Sequence, residues 1–475
     1  MNTNQLKKGD QLEDIVVESM AAEGKCIAHR NGQVVFIQGC APGDTVDIQL
    51  TKIKTSFLEG RVVKIKKLSP DRAQPFCSHF GTCGGCSWQH INYQSQLQYK
   101  QQQVIDNLER IGGLELPEIK PIVGSANTTH YRNKLDFTFS ANRWLTKDEM
   151  SSDKFFGEPG LGYHIPRMFD KVFDVKECFL QPEPSNAIRL LVREVAIQNN
   201  IPFFDLRKQT GFVRTLTIRT AISGDVMVIL QVTSDKMEWT EIILKALCEK
   251  FPQISSLNYI INGKRNDTFS DLDVICWKGD PYITETMLNP GGRNLQFQVG
   301  SKSFYQTNSA QAYVLYKIAY AMAGLTGNEL VYDLYTGTGT IANFVAGSAK
   351  KVIGLEYVAA AIEDAKSNSS LNEISNTEFF AGDIKDLLSE NFISNHGRPD
   401  VVITDPPRGG MHEDVCKMLM KALPEKIVYV SCNPATQARD LKILSKKYTV
   451  VEVQPVDMFP HTVHVENVVL LKMKS

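Results

Sequence analysis

The sequence predicts an α/β protein: a C-terminal, doubly wound parallel sheet, preceded by a small OB-like β-barrel and a central α+β region. Three observations carry that prediction. Over the last third of the chain, apolar strand-like runs alternate with amphipathic helical stretches, the pattern of a parallel sheet covered by helices. Near the N-terminus, short runs rich in Val, Ile and Phe follow one another between turn signals. The length of 475 residues also exceeds what one ordinary core serves.

In chain order, EDIVVESM, GKCIAHR, QVVFIQG, DTVDIQLTKI and FLEGRVVKIKKL read as strands, divided at Asn31-Gly32 and Pro42-Gly43-Asp44. So many strands in so short a stretch suggest a closed barrel of the oligonucleotide-binding type. Pro70 to His90 is a cysteine-bearing loop without periodicity. Asn92 to Ile111 reads as a polar helix with Leu97, Val104, Ile105 and Leu108 as its apolar stripe. In the middle, VRTLTIRTAI, DVMVILQV and LNYIING surround a helical EWTEIILKALCEKF. The last third offers strands at 330–334, 351–355, 378–381, 400–404, 426–430, 450–456 and 467–472. The final two follow each other without a helix, as an antiparallel hairpin would. Boundaries fall at 1–68 for the barrel, 69–300 for the central domain and 301–475 for the sheet domain. The helix near 92–111 is placed to pack on the last of these.

Composition narrows the function. The chain is 43% hydrophobic and 22% charged, and its net charge is −1. No apolar run approaches the roughly 20 residues of a membrane helix. The first residues, MNTNQLKKGD, lack the apolar stretch of a signal peptide, so the expectation is a cytoplasmic protein with no membrane partner. No global basic field points to nucleic acid. A local one exists in Lys52, Lys54, Arg61, Lys64, Lys66 and Lys67, against the single acid Glu59. Ten cysteines in a reducing compartment are not a disulfide framework. Cys77, Cys83 and Cys86 are clustered, Cys178 is a candidate fourth member, and Cys432 stands in an unusual context.

The glycine turn DLYTGTGT, Asp333 to Thr340, follows the first strand of the C-terminal sheet. Glycines there let backbone approach a ligand closely. Glu356, Asp383 and Asp405 end the next three strands, so with Asp333 four successive strands carry an acid at the edge where open α/β sheets bind ligands. Four acids repel a phosphate and suit a ligand with ribose, adenine and a sulfonium cation. S-adenosylmethionine is therefore favoured over NAD or ATP. Acids capping helix N-termini explain one or two of these positions but not all.

The fifth strand, KIVYVSCNPAT, delivers Cys432 to the same edge. A thiolate added to carbon 6 of uracil makes carbon 5 nucleophilic, and a base must then remove the carbon-5 proton. Glu466, in MFPHTVHVENVVLL, is the leading base candidate, with His461 and His464 beside it as alternatives.

The segments SCNPATQARD, FPHTVHVENVVLL, DPPRGG, DLYTGTGT and FYQTNSAQ resemble the RNA uracil-5-methyltransferase family, over nearly the whole chain. Within it the chain looks like the ribosomal branch, whose members carry an N-terminal TRAM barrel and an iron–sulfur cluster. The resemblance implies a Rossmann-like methyltransferase sheet, Cys432 as nucleophile and Glu466 as base. It also implies cofactor positions at Gln306, Tyr335, Thr340, Glu356, Asp383 and Asp405. Phe304 falls where the family offers a ring near the target base, and Arg132 is a further candidate substrate contact. The turn departs from the family, reading TGTGT where many relatives have Cys-Gly-x-Gly-Asn/Thr, and this bears on Thr340. Cys77, Cys83 and Cys86 have a spacing whose bottom-up default is zinc. They resemble instead the family's four-iron–four-sulfur motif, with Cys178 in KECFL as the distant ligand. The implied partner is RNA, 23S ribosomal RNA by that branch, and the expected state is a monomer.

Other classes fit less well. An exocyclic-amine methyltransferase would use Asp405-Pro406-Pro407, but would place an aromatic residue where this chain has Arg408 and would have no use for Cys432. A non-catalytic RNA-binding protein would not need the strand-end acids. A radical enzyme would want its three clustered cysteines closer together than Cys77 and Cys83.

Overall fold

The computed structural model describes residues 6–21, 24–150, 158–166 and 168–474. The N-terminal strands form one sheet in the order Gln11–Val16, Thr45–Ile53, Phe57–Lys67, Gln33–Gln38, Cys26–Arg30, Ser19–Met20. Closure comes from the first strand, which serves both edges. Its start pairs with the Thr45 strand, and after Val17 its continuation pairs with Cys26–Ile27. The irregularity between Leu12 and Ile15, with Asp14 at φ 52°, bends the strand enough to do so. Leu12, Val35, Ile37, Val46, Ile48 and Leu58 fill the interior.

Beyond the barrel, buried Asp44 accepts from the Ala41 and Ser69 amides and takes the Arg72 guanidinium at 2.7 Å. This ties the cysteine-bearing loop to the barrel. The helix Tyr93–Asn107 is capped by Asn92, which accepts from the Ser95 amide, and a wider turn extends it to Gly112. Its Val104 and Leu108 pack into the C-terminal core. The central sheet runs in the order Ile275–Gly279, Ile254–Ile261, Val226–Val232, Val213–Thr220, Lys134–Ser140, Gly160–His164, Val172–Asp174. The helices Ser185–Gln198 and Met237–Lys250 cover one face. The hairpin Tyr282–Leu288 and Asn294–Gly300 shares its apolar cluster with the helix Ser309–Ala323. The Gln296 and Gln298 amides donate to Asn372 and Asn368 of the C-terminal region.

The strands of the C-terminal sheet are β1 (Leu330–Leu334), β2 (Lys351–Glu356), β3 (Thr377–Ala381), β4 (Val401–Thr404), β5 (Lys426–Ser431), β6 (Tyr448–Val456) and β7 (Glu466–Met473). Their spatial order is β3-β2-β1-β4-β5-β7-β6, parallel except for antiparallel β7. Successive side chains of a strand point to opposite faces, and both faces here are covered. Val401, Ile403, Val428 and Val430 join the cluster under Ser309–Ala323. Val402, Ile427 and Tyr429 join the one under Glu413–Ala422 and Pro434–Leu444. That is why these strands read as continuous apolar runs.

Candidate active site

The turn after β1 places Tyr335 at φ 63°, Gly337 at 55° and Gly339 at 75°, all left-handed. A Cβ on Gly337 would meet nothing within 4 Å, so its bare backbone faces open space above the sheet edge. Glu356 at the end of β2 accepts from the Gly337 amide at 3.2 Å and the Val358 amide at 2.9 Å.

One expectation needs correction. Asp333 belongs to the strand-end set, but its carboxylate turns inward. It is buried and accepts from Thr336 Oγ1 at 2.5 Å and the Ala342 amide at 3.1 Å, pinning the glycine turn to the following helix. Burial pushes it up to about 7. Glu356, Asp383 and Asp405 keep partial exposure at the strand ends, and Asp333 does not. Asp383 also caps a helix, accepting from the Lys385 amide and pairing with Lys385 Nζ at 3.0 Å, which holds its carboxyl below the usual range.

Asp405, after β4, takes a 3.4 Å bond from Gln306 Nε2, and burial pushes its carboxyl up to about 7. Gln306 is held in turn through its carbonyl by Asn133 Nδ2 at 2.9 Å. Thr340 begins the helix after the turn, with its hydroxyl 3.3 Å from that of Thr338. The ring of Tyr335 packs against the cluster of the opposite face. Phe304 is 67% exposed, while its carbonyl meets the Thr338 hydroxyl at 3.5 Å, so a bare ring stands beside the glycine turn.

Cys432 and Glu466 meet through strand register. Ser431 of β5 pairs with Asn467 of β7 in an antiparallel ladder. One step further, Cys432 stands opposite Glu466. Asn433 then caps the helix Pro434–Leu444, accepting from the Ala435 amide, and its Nδ2 donates to the Arg408 carbonyl at 3.0 Å. Burial, then Glu466 and Asp405, push the Cys432 thiol up to about 11. Burial, then Asp405, push the Glu466 carboxyl up to about 8, and Arg408 opposes both shifts. Arg408 is the residue that sequence reasoning passed over. It entered only as a missing aromatic, although a lone cation after Asp-Pro-Pro among acids was the signal.

The histidines are placed differently from Glu466. The His461 ring takes a 3.1 Å contact from Gln96 Nε2 and meets Phe76 edge-on at 5.1 Å. His464 shares the surroundings of Arg408. Burial holds both neutral, down to about 4.

Cys77, Cys83, Cys86 and Cys178 line one pocket, together with His79 and Tyr163. Among the described residues, no group of three or more His, Cys, Asp or Glu side chains is arranged to hold a metal ion. Burial pushes the Cys83 thiol up to about 12 and Cys86 to about 11, and each of Cys77, Cys83 and Cys86 feels Cys178. The Arg132 guanidinium lies over the Phe459 ring at 5.0 Å, on the segment that leads to Glu466.

The comparisons with known proteins agree with this arrangement. The family model for tRNA (uracil-5-)-methyltransferase matches residues 268–474, and that for the TRAM domain matches residues 11–63. An uncharacterized RNA methyltransferase of Bacteroides thetaiotaomicron is 57% identical, over 96% of this chain and 100% of its own length. One from Porphyromonas gingivalis is 55% identical over 96% and 98%. Among solved structures, the Pyrococcus abyssi tRNA (uracil-54, C5)-methyltransferase in complex with S-adenosyl-L-homocysteine superposes with a TM-score of 0.74. It is 28% identical, over 97% of this chain and 99% of that one. The chain belongs to the S-adenosylmethionine-dependent RNA uracil-5-methyltransferase family, with a TRAM domain at its N-terminus.

Proposed function

We propose that this protein methylates carbon 5 of a uridine in 23S ribosomal RNA, with Cys432 as nucleophile and Glu466 as base. The observation that carries the reading is the opposition of Cys432 and Glu466 across β5 and β7, beside a glycine turn flanked by acids. Bound S-adenosylmethionine would supply an electrophilic methyl group. The residues to hold it are Gln306, Tyr335, Thr340, Glu356, Asp383 and Asp405. The free face of Gly337 leaves room for it, and the Glu356 carboxylate beside that turn can take ribose hydroxyls.

The thiolate of Cys432 forms a bond to carbon 6, and the pair from the carbon 5–carbon 6 double bond becomes an enolate. Carbon 5 then takes the methyl group as that group's bond to the sulfonium sulfur breaks, with S-adenosylhomocysteine as the leaving group. Glu466 removes the carbon-5 proton, the double bond re-forms, and the carbon–sulfur bond breaks to return the thiolate. A carboxyl raised toward neutrality is a far better proton acceptor than an ordinary one. Phe304 offers an exposed face for the base to stack on, and Arg132 a contact for RNA.

A four-iron–four-sulfur cluster on Cys77, Cys83, Cys86 and Cys178 belongs to the same reading. Four thiols line one pocket, and thiolates are the donors such a cluster takes. When bound, such a cluster would cross-link the loop to the central domain. We read the protein as a cytoplasmic monomer.

The test is to follow the covalent intermediate. Glu466→Gln should add its thiol, acquire the methyl group and stall, giving a protein–RNA complex that survives denaturing gels and carries labelled methyl. Cys432→Ala should neither methylate nor form the complex. A Cys432→Ala protein that still methylates carbon 5 would end the proposal.

A further inference from the structure

The segment Asp457 to Val465, which joins β6 to Glu466, is held from outside the sheet by a residue with no part in the chemistry. Gln96, on the helix Tyr93–Asn107, is fully buried. Its Oε1 accepts from the His461 amide at 2.9 Å. Its Nε2 donates to the Trp88 carbonyl at 3.1 Å and the Ile91 carbonyl at 2.8 Å, and lies 3.1 Å from His461 Nδ1. Trp88 and Ile91 lie at the end of the cysteine-bearing loop. That loop also grips the segment directly, since the Ser87 and Trp88 amides both donate to the His461 carbonyl. His461 itself sits at φ 63°, a left-handed conformation that a non-glycine residue keeps only when its surroundings impose it. Tyr131 Oη donates to the Pro460 carbonyl at 2.9 Å.

We propose that Gln96 is a positioning residue for proton abstraction: it locks the Asp457–Val465 segment to the cysteine-bearing loop, and so fixes the wall against which Glu466 works. This rests on the roles proposed above for Cys432 and Glu466. The segment carries His464, whose ring shares the neighbourhood of Arg408 with both Cys432 and Glu466. A shift at His461 therefore reaches the site within a few residues. Addition of the thiol depends on the end of β5 and the Asn433-capped helix, whereas the Gln96 side-chain hydrogen bonds all run to Trp88, Ile91 and His461. Loss of the lock should slow the last step more than the first.

Gln96→Met keeps the bulk and removes the donors and the acceptor. Misplacement on the order of an ångström lowers turnover by about a hundredfold, so the variant should lose about tenfold to a hundredfold in kcat. Its KM for S-adenosylmethionine should stay within about twofold of the wild type. During turnover it should accumulate the denaturant-resistant, methyl-labelled RNA complex, as Glu466→Gln does. If Gln96→Met does not fold, Tyr131→Phe decides, because it removes one hydroxyl from the same segment and keeps the ring. A fall in kcat without the complex, or unchanged turnover, overturns the inference while Glu466→Gln still traps. If Glu466→Gln itself gives no complex, the underlying reading fails and takes the inference with it.

Discussion

Replacing Glu466 by glutamine should make Cys432 more acidic, and the strand register sets the size of the effect. Cys432 faces Glu466 one step beyond the Ser431–Asn467 pair, and Cβ atoms so opposed lie about 5 Å apart. Two unit charges at about 5 Å and an effective dielectric near 20 repel by about 3 kcal/mol, which is about two pKa units. The Cys432 thiol stands near about 11 and the Glu466 carboxyl near about 8, each raised by burial first. The sign follows from these values. Well below pH 8, Glu466 keeps its proton and exerts no repulsion, so wild type and Glu466→Gln form thiolate equally. Above it, only the wild type carries the opposing carboxylate. Alkylation of Cys432 by iodoacetamide, read peptide by peptide in the free protein, tests this. The ratio of variant to wild-type rate should be close to one at about pH 6.5 and climb to about tenfold by about pH 10. A ratio flat at one would mean that the two side chains do not share a site. A ratio already high at pH 6.5 would mean that Glu466 is ionised there and that its burial is not what raises it.

Other outcomes follow from the same geometry. Glu356→Ala should weaken S-adenosylmethionine binding by roughly tenfold or more, because hydrogen bonds to a charged acceptor contribute about 1.5–3 kcal/mol each; unchanged affinity by calorimetry would remove Glu356 from the site. Anaerobically purified protein should be brown with about four irons, and Cys178→Ser should lose the cluster; a colourless protein holding one zinc would restore the zinc alternative. Lys100 and Asp457 form a fully buried pair at 2.7 Å. Lys100→Met should therefore cost about 3–5 kcal/mol by stranding a buried carboxylate. Denaturant melts should show Lys100→Met with Asp457→Leu destabilised by less than the two single changes summed.

What was legible in the sequence was local. Apolar runs of strand length alternating with amphipathic stretches predict a doubly wound sheet, because both periodicities are set within a few residues. The strand-end positions of Glu356, Asp383, Asp405 and Cys432 follow from the same pattern, since the end of a strand is where its apolar run stops. The family likeness was legible for the same reason, in short contiguous motifs. Tertiary structure decided the rest. Asp333 has the sequence position of its fellow acids, yet its side chain turns to Thr336 and the Ala342 amide, a matter of backbone path that spacing does not encode. His461, His464 and Glu466 are interchangeable in a sequence. The antiparallel pairing of β7 with β5 sets Glu466 opposite Cys432, while Gln96, 365 residues earlier, occupies the His461 ring. The hairpin at 282–300 looks like part of the region before it, yet its apolar face is buried with the helix that follows. Burial governs the acidity of Cys432 and Glu466, and the segments that exclude water from them are far apart in the chain. Which groups lose their water, and which charges they then face, is a property of the folded molecule alone.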